Sequence, residues 1–220
     1  LAAQSYPKTS FSSAIHTYET NVIGTENVLK AVLRFCPEAI IHNCSSSEVF
    51  GRVPKDLVPI KEDTQFHPAS PYAISKCSAD LIGRFYSEAH NLRVLTTRMF
   101  THTGARRGDV FMESTFAKQI ALIEKGYLPP TVLTGNLDSI RTIADVRDAV
   151  RAYYLLVTTD KIPSGSVFNI GGTFTTSVGS ILEKLISLST VENIDHAIDQ
   201  SRLRPIDADL QIPDTSNFKK

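Results

Sequence analysis

Ser70-Pro-Tyr-Ala-Ile-Ser-Lys76 opens the stretch, running to about His90, whose reading decides the fold. Pro71 has no amide hydrogen to leave unpaired at a first helical position, and Ser70 is placed to cap the free amides that follow. The pattern predicts one long helix over 71–90. Upstream, Glu38-Ala-Ile-Ile-His-Asn-Cys44 is a short apolar run after Pro37, the signature of a buried parallel strand. Downstream, Arg93-Val-Leu-Thr-Thr-Arg-Met-Phe100 reads as a second strand. Strand, helix and strand in this order form the repeating unit of a parallel sheet with crossover helices.

The same alternation continues outward. Thr17 to Phe35 carries Val22, Ile23, Val28, Leu29, Val32 and Leu33 at a helical period. Helices are expected from about Met112 to Lys125, from Asp145 to Thr158 and from Ser177 to Ser189, with Tyr127-Leu-Pro-Pro130 breaking the first. Val132-Leu133 and Ser166-Val-Phe-Asn-Ile170 read as short strands, the second stopped by Gly171-Gly172. Thr101 to Asp109 reads as a polar loop, and the tail from Arg202 to Lys220 as irregular. The fold class expected is α/β, a doubly wound parallel sheet. Leu1-Ala-Ala-Gln-Ser5 resembles the end of a buried strand and lacks an initiator Met, so the chain is expected to be a fragment.

Composition excludes several roles. Lys plus Arg and Asp plus Glu each number 23 in 220 residues, so no net charge points to nucleic acid or a membrane surface. No apolar run approaches the roughly 20 residues of a membrane span. Cys36, Cys44 and Cys77 are odd in number and lack metal-ligand spacing, which suits small core residues in a reducing, cytoplasmic setting. His42, His67, His90 and His196 show no such spacing either, and no metal is expected.

Chemistry concentrates at two places. Tyr72 and Lys76 lie four residues apart, on one helix face. An ammonium beside a phenol lowers its pKa from about 10 and makes it a base for a sugar hydroxyl. Ser45-Ser46-Ser47-Glu48 follows a strand end, where ligands bind in open α/β sheets. Other polar residues have plainer readings. Arg98 suits a buried ion pair, Phe85 and Tyr86 suit helix packing, and Asp145, Arg147, Asp148 and Arg151 suit a solvated face with local charge pairs. Arg106-Arg107 is compatible with an exposed pair, a subunit contact or a cofactor contact.

Ser46-x-Glu48, Ser70-Pro-Tyr-Ala-Ile-Ser-Lys76, Arg106-Arg107-Gly108, Gly135-Asn-Leu-Asp138 and Leu203-Arg-Pro205 together resemble the extended short-chain dehydrogenase/reductase family. Within its nucleotide-sugar branch, the chain is similar to GDP-mannose 4,6-dehydratases and their sister GDP-4-dehydro-6-deoxymannose reductases. The resemblance implies a Rossmann domain over 1–100 and 142–175, its N-terminal part missing, and a smaller C-terminal substrate domain over 101–141 and 176–220. The Gly-rich phosphate loop would precede Leu1.

It further implies catalysis by Ser46, Glu48, Tyr72 and Lys76. Tyr72 would act at the C4 hydroxyl with Ser46 as donor, and Glu48 would move the C5 proton and assist departure of the C6 hydroxyl. Leu1, Ala2, Ala3, Gln4, Ser5, Tyr72, Lys76, His102 and Arg107 would contact NADP, with NAD possible. Ser47, Thr101, Arg141, Arg204 and Asp207 would contact the substrate, a GDP-linked hexose. A homodimer or homotetramer is implied.

Some positions depart from the dehydratase pattern. Thr101 replaces an Asn usual in relatives, and Ser114-Thr115 replaces a basic pair. Phe116-Ala-Lys-Gln-Ile120 and Asp145-Val-Arg-Asp148 look like the reductase branch, whereas Arg106-Arg107-Gly108-Asp109 looks like the dehydratase. The expectation is a dehydratase, with a reductase or a 4-epimerase as alternatives.

Overall fold

The structure is a computed structural model and describes residues 3–219. Its α-helices are α1 (Pro7–Ser12), α2 (Ala14–Tyr18), α3 (Gly24–Phe35), α4 (Pro71–His90), α5 (Met112–Glu124), α6 (Val146–Thr158) and α7 (Val178–Ile186). A π-helical turn, Glu19–Ile23, joins α2 to α3. The strands are β1 (Ile40–Cys44), β2 (Arg93–Met99), β3 (His102–Thr103), β4 (Thr131–Thr134), β5 (Ile140–Asp145), β6 (Val167–Ile170), β7 (Phe174–Ser177), β8 (Asp195–Ile198) and β9 (Leu210–Gln211).

The long helix forms as its sequence requires. Pro71 occupies the first turn of α4, and the Ser70 hydroxyl accepts from the Ala73 amide at 3.0 Å. A cap of this kind contributes about 1 kcal/mol. Asn91 ends the helix with a left-handed backbone, φ 56°.

β1, β2 and β6 form a parallel sheet in the order β1-β2-β6, with Ile41 opposite Val94 and Met99 opposite Ile170. Successive strand side chains point to opposite faces. Leu95 and Met99 therefore pack on Ala149, Ala152 and Leu156 of α6, while Val94 packs with Leu29 of α3 and Tyr86 of α4. Helices cover both faces, so the sheet is doubly wound. Beneath the chain after β1, Val49, Phe50, Ile60, Cys77 and Phe100 form a smaller cluster. A further core gathers Phe116, Ile120 and Ile123 of α5, Val132 of β4, and Val178 and Leu182 of α7. Near it β4 pairs in parallel with β8.

Several pairings were not legible. β5 runs parallel to β3 and β9 and antiparallel to β7. The supposed loop at 101–109 thus contains β3, with His102 opposite Ala144, and the supposedly irregular tail contains β9, with Gln211 opposite Arg141. β3 and β9 are only two residues long, and β5 and β7 mix polar with apolar residues, so no continuous apolar run marks them. Ala3 to Ser5 is not a strand end. The Gln4 backbone is held instead by the Asn21 side chain, which accepts from its amide and donates to its carbonyl, both at 2.9 Å. Leu1 and Ala2 lie outside the described residues.

Cys36 is exposed rather than a core residue, Cys44 is half-buried and Cys77 buried. Phe85 is exposed, so only Tyr86 of that pair is packed, its hydroxyl donating to Glu26 at 2.9 Å. Asp145 caps α6 and grips Arg147 two residues on, at 2.7 Å, while Asp148 and Arg151 are exposed as expected. Among the described residues no helix is long and apolar enough to cross a membrane, and no metal-binding cluster of His, Cys, Asp and Glu occurs.

Candidate active site

The end of β1 leads directly into chemistry. Ser45 continues the strand ladder by one bond, its amide donating to Thr97 at 2.8 Å. Ser46 is extended and caps a short 3-10 turn, Ser47–Phe50, its hydroxyl accepting from the Glu48 amide at 3.2 Å. Val49 and Phe50 are fully buried and anchor that turn, leaving Ser46, Ser47 and Glu48 on the wall of a cleft of about 600 Å³. Gly51 closes the turn at φ 57°, and a Cβ there would overlap the His67 carbonyl. Only glycine fits.

Tyr72, from the first turn of α4, enters the same cleft. Its phenol is pushed up to about 12, chiefly by burial, with the negative charge of Glu48 adding and a hydrogen bond with Ser46 opposing. The phenol therefore holds its proton at neutral pH. This reverses the direction expected from Lys76. The Lys76 amine is not on the cleft wall; it donates to the Cys44 carbonyl at 2.9 Å, and burial lowers its own pKa. The Lys76 charge is not among the influences on this phenol, so helical spacing alone did not lower it. Lys76 is nonetheless tied to the strand end four residues before Glu48.

The opposite wall comes from β5 and the tail. Arg141 donates to the carbonyls of Ala208, at 2.7 Å, and Ile140, at 3.0 Å, and meets Asp207 at 3.5 Å. Burial pushes this guanidinium below its usual range, while Asp207 and Glu48 pull the other way. Asp207 accepts from Ser139 at 3.1 Å and from Asn136 at 3.4 Å. Arg204 reaches Glu48 at 3.4 Å and Asp207 at 3.8 Å. Two arginines in one wall suit phosphate oxygens, which guanidinium forks meet in pairs. The distant tail is thereby brought against the turn after β1.

Thr101, His102 and Arg107 also line the cleft. Arg106 and Arg107 separate in behaviour: Arg106 is exposed with φ 67°, whereas Arg107 turns inward. Arg107 donates to the His102 carbonyl, lies 3.5 Å from Glu113 and stacks 4.1 Å over the Phe111 ring. Burial and the Arg107 charge lower the His102 pKa, and its Nδ1 meets the Phe100 carbonyl at 3.2 Å. Ser5 lines the cleft; Gln4 and Ala3 do not. Lys8, Glu113, Asn136 and Ser139 are cleft residues that sequence reasoning missed. Asn136 lies inside the quoted Gly135-Asn-Leu-Asp138 segment and Ser139 directly follows it, but Lys8 and Glu113 carried no signal.

With this geometry in view, the likenesses to known proteins become specific. The family model described as GDP-mannose 4,6 dehydratase matches residues 1–220. The chain is 30% identical over 204 residues to a GDP-6-deoxy-D-mannose reductase of Pseudomonas aeruginosa, covering 93% of this chain and 66% of that protein. It is 34% identical over 178 residues to the human GDP-mannose 4,6 dehydratase, covering 77% of this chain and 47% of the relative. Among solved structures, RMD from Pseudomonas aeruginosa, complexed with NADPH, superposes with a TM-score of 0.89 at 27% identity, over 99% of this chain and 71% of that one. The chain thus spans two thirds or less of the length of these two curated relatives.

Proposed function

We propose, from the premise that the chain belongs to the GDP-mannose 4,6-dehydratase family, that it carries the catalytic part of a nucleotide-sugar 4,6-dehydratase. The substrate in this reading is GDP-mannose and the product its 4-keto-6-deoxy derivative. One observation carries the choice: the Glu48 carboxylate shares a cleft with Ser46 and Tyr72 and faces Arg141 and Arg204. Elimination across C5 and C6 needs such a group, and a simple reductase does not.

The cofactor in this reading is NADP, with NAD possible. Lys76, Ser5, Gln4, His102 and Arg107 would hold it, with Leu1, Ala2 and Ala3 alongside. Among the described residues the buried Arg107 Nε, on the cleft wall, has no hydrogen-bond partner and only a 3.5 Å contact with Glu113, which suits a site that takes a polar ligand. Bound there, the dinucleotide would take hydride from C4 and return it to C6.

The remaining chemistry belongs to the chain. Ser46 donates to the C4 oxygen. Tyr72, a neutral phenol at rest, would release its proton to solvent when the cationic nicotinamide is brought beside it, and would then act as the C4 base. Glu48 takes the C5 proton, acidified by the C4 ketone, and serves the departing C6 hydroxyl. Arg141 and Arg204 bind the diphosphate, Asp207 the ribose, and Ser47 and Thr101 contact the sugar.

Residues 1–100 and 142–175 form the dinucleotide domain in this reading, and 101–141 and 176–220 the substrate domain. A row of exposed apolar residues on α4, Ile74, Leu81 and Phe85, supports a homodimer or homotetramer, and three free thiols suit a cytoplasmic setting.

Incubation of the full-length protein and its Glu48→Gln variant with GDP-mannose tests the function. We expect loss of water by mass in the parent without net cofactor consumption. In the variant, elimination falls about 10²–10⁴-fold while hydrogen exchange at C4 persists. Equal elimination in the variant refutes the role of Glu48. The reductase reading is favoured by the long match to the Pseudomonas protein, and it would be established by stoichiometric NADPH consumption with a 4-keto-6-deoxy nucleotide sugar together with no dehydration of GDP-mannose.

A further inference from the structure

Glu48 and Asp207 share one cationic partner but are held very differently. Asp207 accepts from Ser139 Oγ at 3.1 Å, Asn136 Nδ2 at 3.4 Å and its neighbour's amide, Ala208 N, at 3.0 Å. Those donors are neutral and belong to the wall itself, and Arg141 Nη2 adds a second cation at 3.5 Å. The Glu48 carboxylate has a single partner among the described residues, Arg204 Nη1 at 3.4 Å. That distance is at the long end for a charged contact, which is normally 2.7–2.9 Å. Arg204 also lines a second, more open depression of about 490 Å³ beside Tyr6 and Lys8, so its side chain has room to swing.

We propose that Arg204 is a shared counterion that is handed from Glu48 to the substrate diphosphate, so that binding of the nucleotide end releases the carboxylate at the sugar end. The proposal rests on the assignment of the cleft to a nucleoside diphosphate sugar. In the empty cleft two guanidinium groups, Arg141 and Arg204, face two carboxylates, Glu48 and Asp207. A diphosphate brings more negative charge than either carboxylate and offers oxygens that match a guanidinium fork. Arg204 moves to it. Asp207 keeps Arg141 and its neutral donors, and Glu48 loses its one hydrogen-bonded ion pair and is free to take a proton. Substrate binding and readiness for proton transfer become one event.

Linkage makes the handover measurable, because two ligands competing for one partner weaken each other reciprocally. Inorganic pyrophosphate is titrated calorimetrically into the full-length protein at low ionic strength, with guanosine as an uncharged control. Glu48→Gln is expected to tighten pyrophosphate binding about fivefold, the lower end of ordinary site-site coupling, and to leave guanosine unaffected. In an Arg204→Ala background the gain from Glu48→Gln disappears.

A gain that persists without Arg204 shows only general charge repulsion and overturns the handover. Unchanged affinity in Glu48→Gln overturns it too, while leaving the cleft a diphosphate site. No pyrophosphate or GDP binding by any variant would sink both the handover and the functional assignment. A crystal structure with pyrophosphate is an independent check, with Arg204 expected beyond ion-pair distance of Glu48. Persistence of that contact in the occupied cleft refutes the proposal.

Discussion

Two arginine–carboxylate pairs in this molecule are built for opposite purposes. Arg98 of β2 and Asp80 of α4 are 1% and 0% exposed and meet through two hydrogen bonds, 2.8 and 3.1 Å. A third bond ties Arg98 to the Glu62 carbonyl at 2.6 Å, and its guanidinium lies 4.6 Å from the Phe66 ring centroid. Arg204 and Glu48 are 29% and 18% exposed and share a single 3.4 Å contact across the cleft. The first pair fixes α4 against the sheet and so sets where Tyr72 emerges. The second links a tail loop to a turn and costs little to open. Burial decides which is which: a charge removed from water cannot lose its partner cheaply, while a wetted charge can exchange partners.

Asp80→Ala should break the comparison from the structural side. It strands the Arg98 charge in the interior and is expected to cost about 3–5 kcal/mol, read from the urea midpoint at constant slope. A loss below about 1 kcal/mol would mean that the pair is no more structural than an exposed one.

Acid titration sharpens the comparison with a buried group that lacks a countercharge. Burial beside Tyr153, ring centroids 4.3 Å apart, lowers the His42 pKa from 6.5 to about 4. The unfolded chain then binds the proton more tightly. The resulting stability is present above pH 6.5 and is lost as pH falls toward 4. With allowance for the exposed part of the ring, about 1–2 kcal/mol should disappear over that window. Unfolding midpoints measured against pH should show the loss in the parent and not in His42→Gln.

The smallest stability effect belongs to the cleft pair. Arg204→Ala should change stability by about 0–1 kcal/mol while weakening pyrophosphate binding. A loss as large as that of Asp80→Ala would erase the distinction between the two pairs.

Much of the sheet was legible because its signals are local. Pro71 with Ser70 announces α4, and apolar runs at 40–44 and 93–99 announce β1 and β2. Arg98 is legible in the sequence as a buried ion-pair partner, but Asp80 as its counterpart is not. The strands β3, β5, β7, β8 and β9 escaped, because β3 and β9 are only two residues long and the other three mix polar with apolar residues, β8 being exposed throughout, so none forms a continuous apolar run. In the site, Ser46, Glu48 and Tyr72 do share a cleft. The effect expected of Lys76 on Tyr72 failed, since residue spacing gives a helix face but not the carbonyl that a flexible amine will choose.

The amino-acid sequence alone determined the helices α3 to α7 and the buried strands β1, β2 and β6, because capping and hydrophobic period act within a few residues; the short α1 and α2 and the strand β5 were not among them. It also supplied the chemical types the cleft would contain. Only the tertiary structure decided that the tail returns to set Arg204 and Asp207 opposite Glu48, that burial raises the phenol of Tyr72 instead of lowering it, and that one arginine serves two carboxylates. Those outcomes depend on desolvation and on distances of a few ångströms between residues far apart in the chain, which no local pattern encodes.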